Sequence, residues 1–219
     1  MKLLSIITAR FIGSISTVEL NPRGLLVYPA LIDGLVDKYQ FLVAPDEDAA
    51  FDESVGITFE DGSWGDVAID KVTIFGDGIV VNTRSSTTDA ETIFGEALEW
   101  AAASYGLTYA PEMVARKRYV SEILFHSEAS LSNLNPALNT FNDSVSDSLK
   151  TYTGIDQKYE LSGVVMHYDA SDIKSAVTPF KIERLQHGPF ADNKYYSIAP
   201  LPTDEHWALL EQFEAILNG

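Results

Sequence analysis

The sequence predicts an α+β fold of two similar halves: antiparallel sheet in each, with an Asn-Pro-capped helix and a terminal helix packed on one face. Three observations carry that expectation. Short motifs recur in the same order at a nearly constant offset of 114–115 residues. Turn pairs separate runs rich in β-branched and aromatic residues. Capped segments with apolar residues at helical spacing follow those runs. The recurrences are specific. Leu20-Asn21-Pro22 returns as Leu134-Asn135-Pro136, and Phe75-Gly76-Asp77-Gly78 is echoed by Phe190-Ala191-Asp192-Asn193. Thr88-Asp89 returns as Thr203-Asp204, and Phe11 precedes Phe125 in strand-like surroundings both times.

Met1-Lys2-Leu3-Leu4-Ser5-Ile6-Ile7-Thr8-Ala9-Arg10 opens the chain. A basic residue before a short apolar run hints at a leader, but Ser5 and Thr8 interrupt the run and no convincing cleavage site follows. A first strand is the better reading. Asn21-Pro22 reads as an N-cap followed by the first helical residue, because asparagine accepts from an orphan N–H and proline lacks that donor. Leu25, Leu26, Ala30, Leu31 and Leu35 then predict a helix to about Tyr39, which Pro29 bends or delays. Strands are expected at Gln40–Val43 and Val55–Phe59. Asp77-Gly78 reads as a hairpin turn between Val72/Ile74 and Ile79/Val81. Thr88-Asp89-Ala90-Glu91 is a capping box opening a helix through Phe94, Leu98 and Ala101 to Tyr105, stopped by Gly106.

In the second half, Asn135-Pro136 caps a helix whose stripe is Leu138, Phe141, Val145 and Leu149. The rest of that segment is Ser, Asn, Asp and Thr, poor helix formers, so packing is expected to hold it. Strands are expected at Leu161–Tyr168 and Phe180–Leu185, and Asp192-Asn193 reads as a second hairpin turn before Tyr195, Tyr196 and Ile198. A last helix begins at Thr203, with Asp204 and Glu205 in its positive first turn and Leu209, Leu210, Phe213 and Leu217 inward. This order resembles the half-repeat of TATA-box-binding-protein-like folds. The resemblance is one of element order and implies no function. The Gly106 stop and Pro111 set the boundary near Leu107–Met113, which divides the chain into repeats 1–107 and 108–219, expected to pack as one pseudo-twofold unit.

The chain carries 32 acidic against 15 basic residues, a formal charge of −17. That field repels nucleic-acid backbones, so direct nucleic-acid binding is not expected. Asp46 to Glu91 alone holds twelve acidic residues against Lys71 and Arg84; such a run reads as a solvated face, or as a dock for a basic partner. The complete lack of cysteine excludes disulfides, thiolate nucleophiles and cysteine-held metals, and fits a reducing, cytoplasmic setting. No stretch approaches the roughly 18 apolar residues that span a bilayer, so no membrane is expected.

Chemistry-bearing motifs are weak. His126/Glu128 and His167/Asp169 are His-x-carboxylate pairs that a strand would put on one face, but no second histidine at ligand spacing supports them, and no metal or cofactor is expected. Asp46-Glu47-Asp48 with Asp52-Glu53 lacks the glycine of a calcium loop. Asp169, Asp172 and Lys174 are too loosely spaced for a metal-dependent nuclease, and Gly62-Ser63-Trp64-Gly65 is no nucleophile elbow. Arg116-Lys117-Arg118 is the one dense basic cluster, a charged strand end or, through Arg116 and Arg118, a contact for an anion or partner. Trp100 and Trp207 each fall about 100–120° from the centre of their helix's apolar stripe, at the core edge or as interface anchors.

These features favour a non-enzymatic protein-interaction or self-assembling scaffold, bound to a protein partner or to itself. The alternatives are an acidic decoy that inhibits a nucleic-acid-binding protein, or an enzyme without a short signature using a pocket between the halves.

Overall fold

The computed structural model describes residues 1–24, 26–46, 55–169, 171, 177–185 and 188–219. Its elements are β1 (Lys2–Ser14), α1 (Thr17–Leu20), α2 (Tyr28–Tyr39), β2 (Ile57–Trp64), β3 (Val67–Phe75), β4 (Gly78–Thr83), α3 (Thr87–Tyr105), β5 (Arg116–His126), α4 (Pro136–Thr153), β6 (Gly163–Met166), β7 (Phe180–Arg184), β8 (Lys194–Ala199) and α5 (Thr203–Asn218). Among the described residues this is a mixed α+β chain with an antiparallel sheet in the strand order β2-β3-β4-β1-β5-β8-β7-β6. Two compact units share it: Ile6–Ser121 with Pro200–Asp204, and Met1–Ser5 with Glu122–Ala199 and Glu205–Gly219. The units do not divide at 107 and 108, because β1 and β5 each contribute to both.

In the first unit, strand alternation sorts side chains onto two faces. Phe11, Val81, Val72 and Phe59 lie in register straight across β1, β4, β3 and β2, and three of the four are at most 1% exposed. The neighbouring row, Arg10, Asn82, Lys71 and Glu60, faces the other way and pairs within itself. Arg10 Nε donates to Asn82 Oδ1 at 2.9 Å, and Lys71 Nζ meets Glu60 Oε1 at 2.6 Å. Helices α2 and α3 contribute Leu31, Ile32, Leu35, Ile93, Phe94 and Leu98 to the apolar side. Phe11 meets Phe94 edge-on at 5.0 Å, and Gly13 makes room for that ring, since a Cβ there would strike it.

The second unit repeats the logic with a smaller core of Ile123, Phe125, Leu131, Ile182, Tyr195 and Leu210. Its inward rows mix apolar with polar residues. Val164, Ile182 and Ser197 align across β6, β7 and β8, and Arg184 aligns with Tyr195.

Several local expectations need correction. Asn21-Pro22 does not start a helix. Asn21 caps the C-terminus of the short α1, and Pro29 delays the long helix until Tyr28, where proline's missing N–H is harmless. Gln40–Val43 forms only an isolated bridge, Val43 with Glu60, because Gln40 is the left-handed cap of α2. Helix α3 begins one residue before the expected box. Ser86 is the cap, its hydroxyl accepting from Asp89 N–H at 3.0 Å, and Glu91 is turned to Lys117 and Tyr119 instead. Gly76 and Asp77, not Asp77 and Gly78, make the β3–β4 turn, with Phe75 paired to Gly78 and without positive φ. Asn193 does take the left-handed conformation, φ 46°, closing a 3-10 turn at Phe190–Asp192 rather than a tight hairpin. Gly106 caps α3 at φ 69°, and Asn135 caps α4 by accepting from Ala137 N–H, as expected.

Candidate functional site

Sequence reasoning singled out Trp100, Trp207, Arg116 and Arg118. Trp100 is half-buried at the edge of the first core, edge-on to Tyr105 at 5.4 Å with the Lys38 ammonium 5.6 Å from its ring. Trp207 occupies the matching place on the second core, edge-on to Phe125 at 6.5 Å, its indole N–H donated to Glu211 at 3.0 Å. Arg116 and Arg118 are exposed on β5, with no ion pair among the described residues, whereas Lys117 between them binds Glu91 at 2.7 Å. Tyr119 also donates to Glu91, at 2.8 Å, and burial together with that bond pushes its phenol up to about 12. The four residues occupy three separate places and form no shared cluster.

The His167/Asp169 pair does not assemble. His167 Nδ1 lies 3.1 Å from its neighbour's carbonyl at Tyr168, while Asp169 accepts from the Ser171 hydroxyl and amide, which hold its carboxyl below the usual range. Among the described residues no three His, Asp or Glu side chains group as a metal site. Glu47, Asp48, Asp52, Glu53, Asp172, Lys174 and His187 lie outside the described residues. No helix among the described residues is long and apolar enough to cross a membrane.

Two buried polar groups went unnoticed in the sequence. Arg184 occupies an inward position of β7 and is 4% exposed. Its guanidinium donates to the Leu161 carbonyl at 3.0 Å, the Phe190 carbonyl at 2.6 Å and the Ser130 hydroxyl at 2.8 Å, and it lies over the Phe190 ring at 4.7 Å. It ties three loops together, and Glu160 lies 3.6 Å from the same guanidinium. The signal was there: in Phe180-Lys181-Ile182-Glu183-Arg184 the period of two puts Arg184 on the same face as Phe180 and Ile182. His206 in α5 is fully buried, its Nε2 2.8 Å from Ser197 Oγ, and burial pulls its pKa down to about 4. The Ser197 hydroxyl donates to the Lys181 carbonyl at 2.8 Å, so it accepts from Nε2 and the neutral ring carries its proton there.

Two larger features remain. The first is α4, 18 residues without one buried side chain. Packing holds it only partly: Asn142, Val145, Ser146 and Leu149 form a half-buried face, and Ser146 Oγ accepts from the Tyr159 N–H at 2.9 Å. Ser144, Ser146, Thr151 and Thr153 each return a hydroxyl to the carbonyl one turn back, at 2.7–3.1 Å. Phe141 is 64% exposed and Tyr152 88%, and the exposed apolar surface continues past the helix through Ile155 and Tyr159.

The second feature is a cavity of about 80 Å³ inside the first unit, between α2, α3 and the sheet. Its walls are aliphatic and aromatic, among them Leu31, Leu35, Ile79, Ile93 and Leu98, and exposed Tyr28 stands at its rim. Tyr39 also lines it. The Tyr39 side chain is buried, and its hydroxyl is the one buried side-chain polar atom without a hydrogen-bond partner among the described residues. Burial, then the nearby charge of Glu96, raises its pKa well above that of an ordinary phenol. No protein-family model matches the chain, and no curated protein matches it.

Proposed function

We propose that the protein is a non-enzymatic, internally duplicated scaffold that assembles with a second copy of itself through α4. The observation that carries this is the spacing of an apolar stripe that is exposed at Leu138, Phe141 and Tyr152 and half-buried at Val145 and Leu149. Leu138, Phe141, Val145, Leu149 and Tyr152 lie within about 40° of Val145 on a helical wheel at 100° per residue. Their intervals, three, four, four and three residues, are symmetric about Val145. An antiparallel copy of the same helix therefore sets Leu138 against Tyr152, Phe141 against Leu149 and Val145 against itself, the self-complementarity a twofold interface requires. Asn142 and Ser148 flank the stripe and let the helices approach closely, while Asp143 and Asp147 fall on the far side, where like charges do not meet.

Duplication is supported by strand order: read outward from β1 the neighbours are β4, β3 and β2, and from β5 they are β8, β7 and β6. It is supported too by the helix starts, where Thr87 N–H donates to Thr203 Oγ1 at 3.0 Å and Thr203 N–H to Thr87 Oγ1 at 2.9 Å.

Light scattering is expected to give twice 24.1 kDa for the native chain and 24.1 kDa for Phe141→Lys, with unchanged far-UV dichroism. The chain has no cysteine, so any disulfide of a single-cysteine variant joins two molecules. Val145→Cys is expected to crosslink on mild oxidation and Asp143→Cys is not. A native monomer, or equal crosslinking at both positions, would overturn the assignment.

A further inference from the structure

We infer that the cavity of the first unit is a binding site for a small, neutral, lipophilic molecule carrying one hydrogen-bond acceptor, such as a medium-chain ketone, aldehyde or ester, with Tyr39 as the donor that orients it. This is independent of self-assembly, which uses the other unit.

Three features of the cavity select that chemistry. Its volume of about 80 Å³ is several times the roughly 10–15 Å³ that one water occupies. A buried water needs two to four polar partners, and among the described lining side chains Tyr39 is the one with a buried polar atom that lacks a partner. The other polar side chains near the lining are already engaged: Thr17 Oγ1 donates to the Gly76 carbonyl at 3.0 Å, and Asn21 Oδ1 accepts from Leu26 N–H at 3.4 Å. An apolar guest therefore replaces little that water could gain.

The second feature is the donor. A phenol held in an apolar wall without a partner bears its full desolvation cost until an acceptor arrives. Because its pKa is raised, it stays protonated across the physiological range and offers a proton, not a negative charge. The third is Glu96, whose carboxylate acts on Tyr39 and is itself held by the Trp64 indole N–H at 2.8 Å. A guest carboxylate would lose its hydration in an apolar cavity that offers a single donor, with the surface charge of Glu96 adding repulsion, so the acceptor is an uncharged carbonyl or ether and a fatty-acid anion is rejected. The tail then runs among Leu31, Ile79 and Ile93, away from the phenol.

Titration of the full-length protein with heptan-2-one, heptane and heptanoate, followed by calorimetry, tests the site. The ketone is expected to bind about tenfold more tightly than the alkane, the yield of one buried hydrogen bond, and heptanoate more weakly than either. Tyr39→Phe removes only the hydroxyl and keeps the ring, so it preserves packing. It is expected to reduce ketone affinity about tenfold and leave heptane unchanged. Ala97→Leu, which fills the cavity from α3, is expected to abolish binding of both. Ketone affinity that Tyr39→Phe does not alter, tighter binding of heptanoate, or no binding of any of the three would overturn the inference.

Discussion

His206 shows how a single buried side chain sets a property of the whole protein. It is a neutral imidazole donating to Ser197, edge-on to the Phe180 ring at 5.3 Å, with no room for a charge. In the unfolded chain it titrates near 6.5, and in the folded chain burial lowers that to about 4. Between those values the unfolded state binds more protons, so stability is complete above pH 6.5, falls as pH drops, and loses nothing further to this residue below about pH 4. The loss across that window is about 3 kcal/mol. Urea midpoints measured from pH 7.5 to 4.5 are expected to fall, and His206→Asn, which keeps a donor for Ser197, is expected to flatten that slope. An equally steep slope in the variant would mean that carboxylates carry it. The alternation of β7 put Arg184 on the inward face, but neither its partners nor the burial of His206 was legible in the sequence, for one reason. A polar residue enters a core only where particular partners from distant segments meet it, and those meetings are long-range. Tyr39 is the converse, an apolar-looking helix position whose significance lies in the partner it lacks.

At the scale of elements, close approach decides more than propensity does. Gly34 sits in the middle of α2, where alanine would ordinarily add up to about 1 kcal/mol of helix stability. A Cβ there, however, would collide with the Tyr105 hydroxyl and press on the Trp100 ring, both from α3. Gly34→Ala is therefore expected to lower stability by about 1–3 kcal/mol, as overpacking does, and Tyr105→Phe to recover part of the loss. A thermal midpoint raised by Gly34→Ala would show that the helices simply move apart. The existence of these helices was legible from apolar spacing, and their ends were legible where glycine or a side-chain cap marks them, as at Gly106 and Asn135. The failures have a common cause. Asn-Pro has two uses, opening a helix at Asn135 and closing one at Asn21, and Pro29 decides between them only through the chain that follows. Helix α4 was read correctly in its start and its stripe, but not in how little of it would be covered: its face at Asn142, Val145, Ser146 and Leu149 is only half-buried, while Ser and Thr hydroxyls turn back to helix carbonyls.

For the whole molecule, net charge and the proposed assembly make opposing demands. A chain at −17 repels itself when folded, and two copies side by side repel each other more. Local pairs such as Lys71–Glu60 and Lys117–Glu91 relieve little of this, since both are at the surface. Salt shortens the range of repulsion from about 10 Å at 0.1 M to about 3 Å at 1 M, while apolar contact along α4 is untouched or strengthened. Raising NaCl from 20 mM to 0.5 M is thus expected to increase both the thermal midpoint and the fraction of dimer. The sign of the effect separates the two readings that the acidic composition left open. An acidic decoy holds a basic partner through its field, and its complexes dissociate as salt rises. A scaffold paired through Phe141, Val145 and Leu149 associates more strongly under the same change. Sedimentation at the two salt concentrations reads the sign directly, and self-association that weakens with salt would show that charge, not the stripe of α4, brings the copies together.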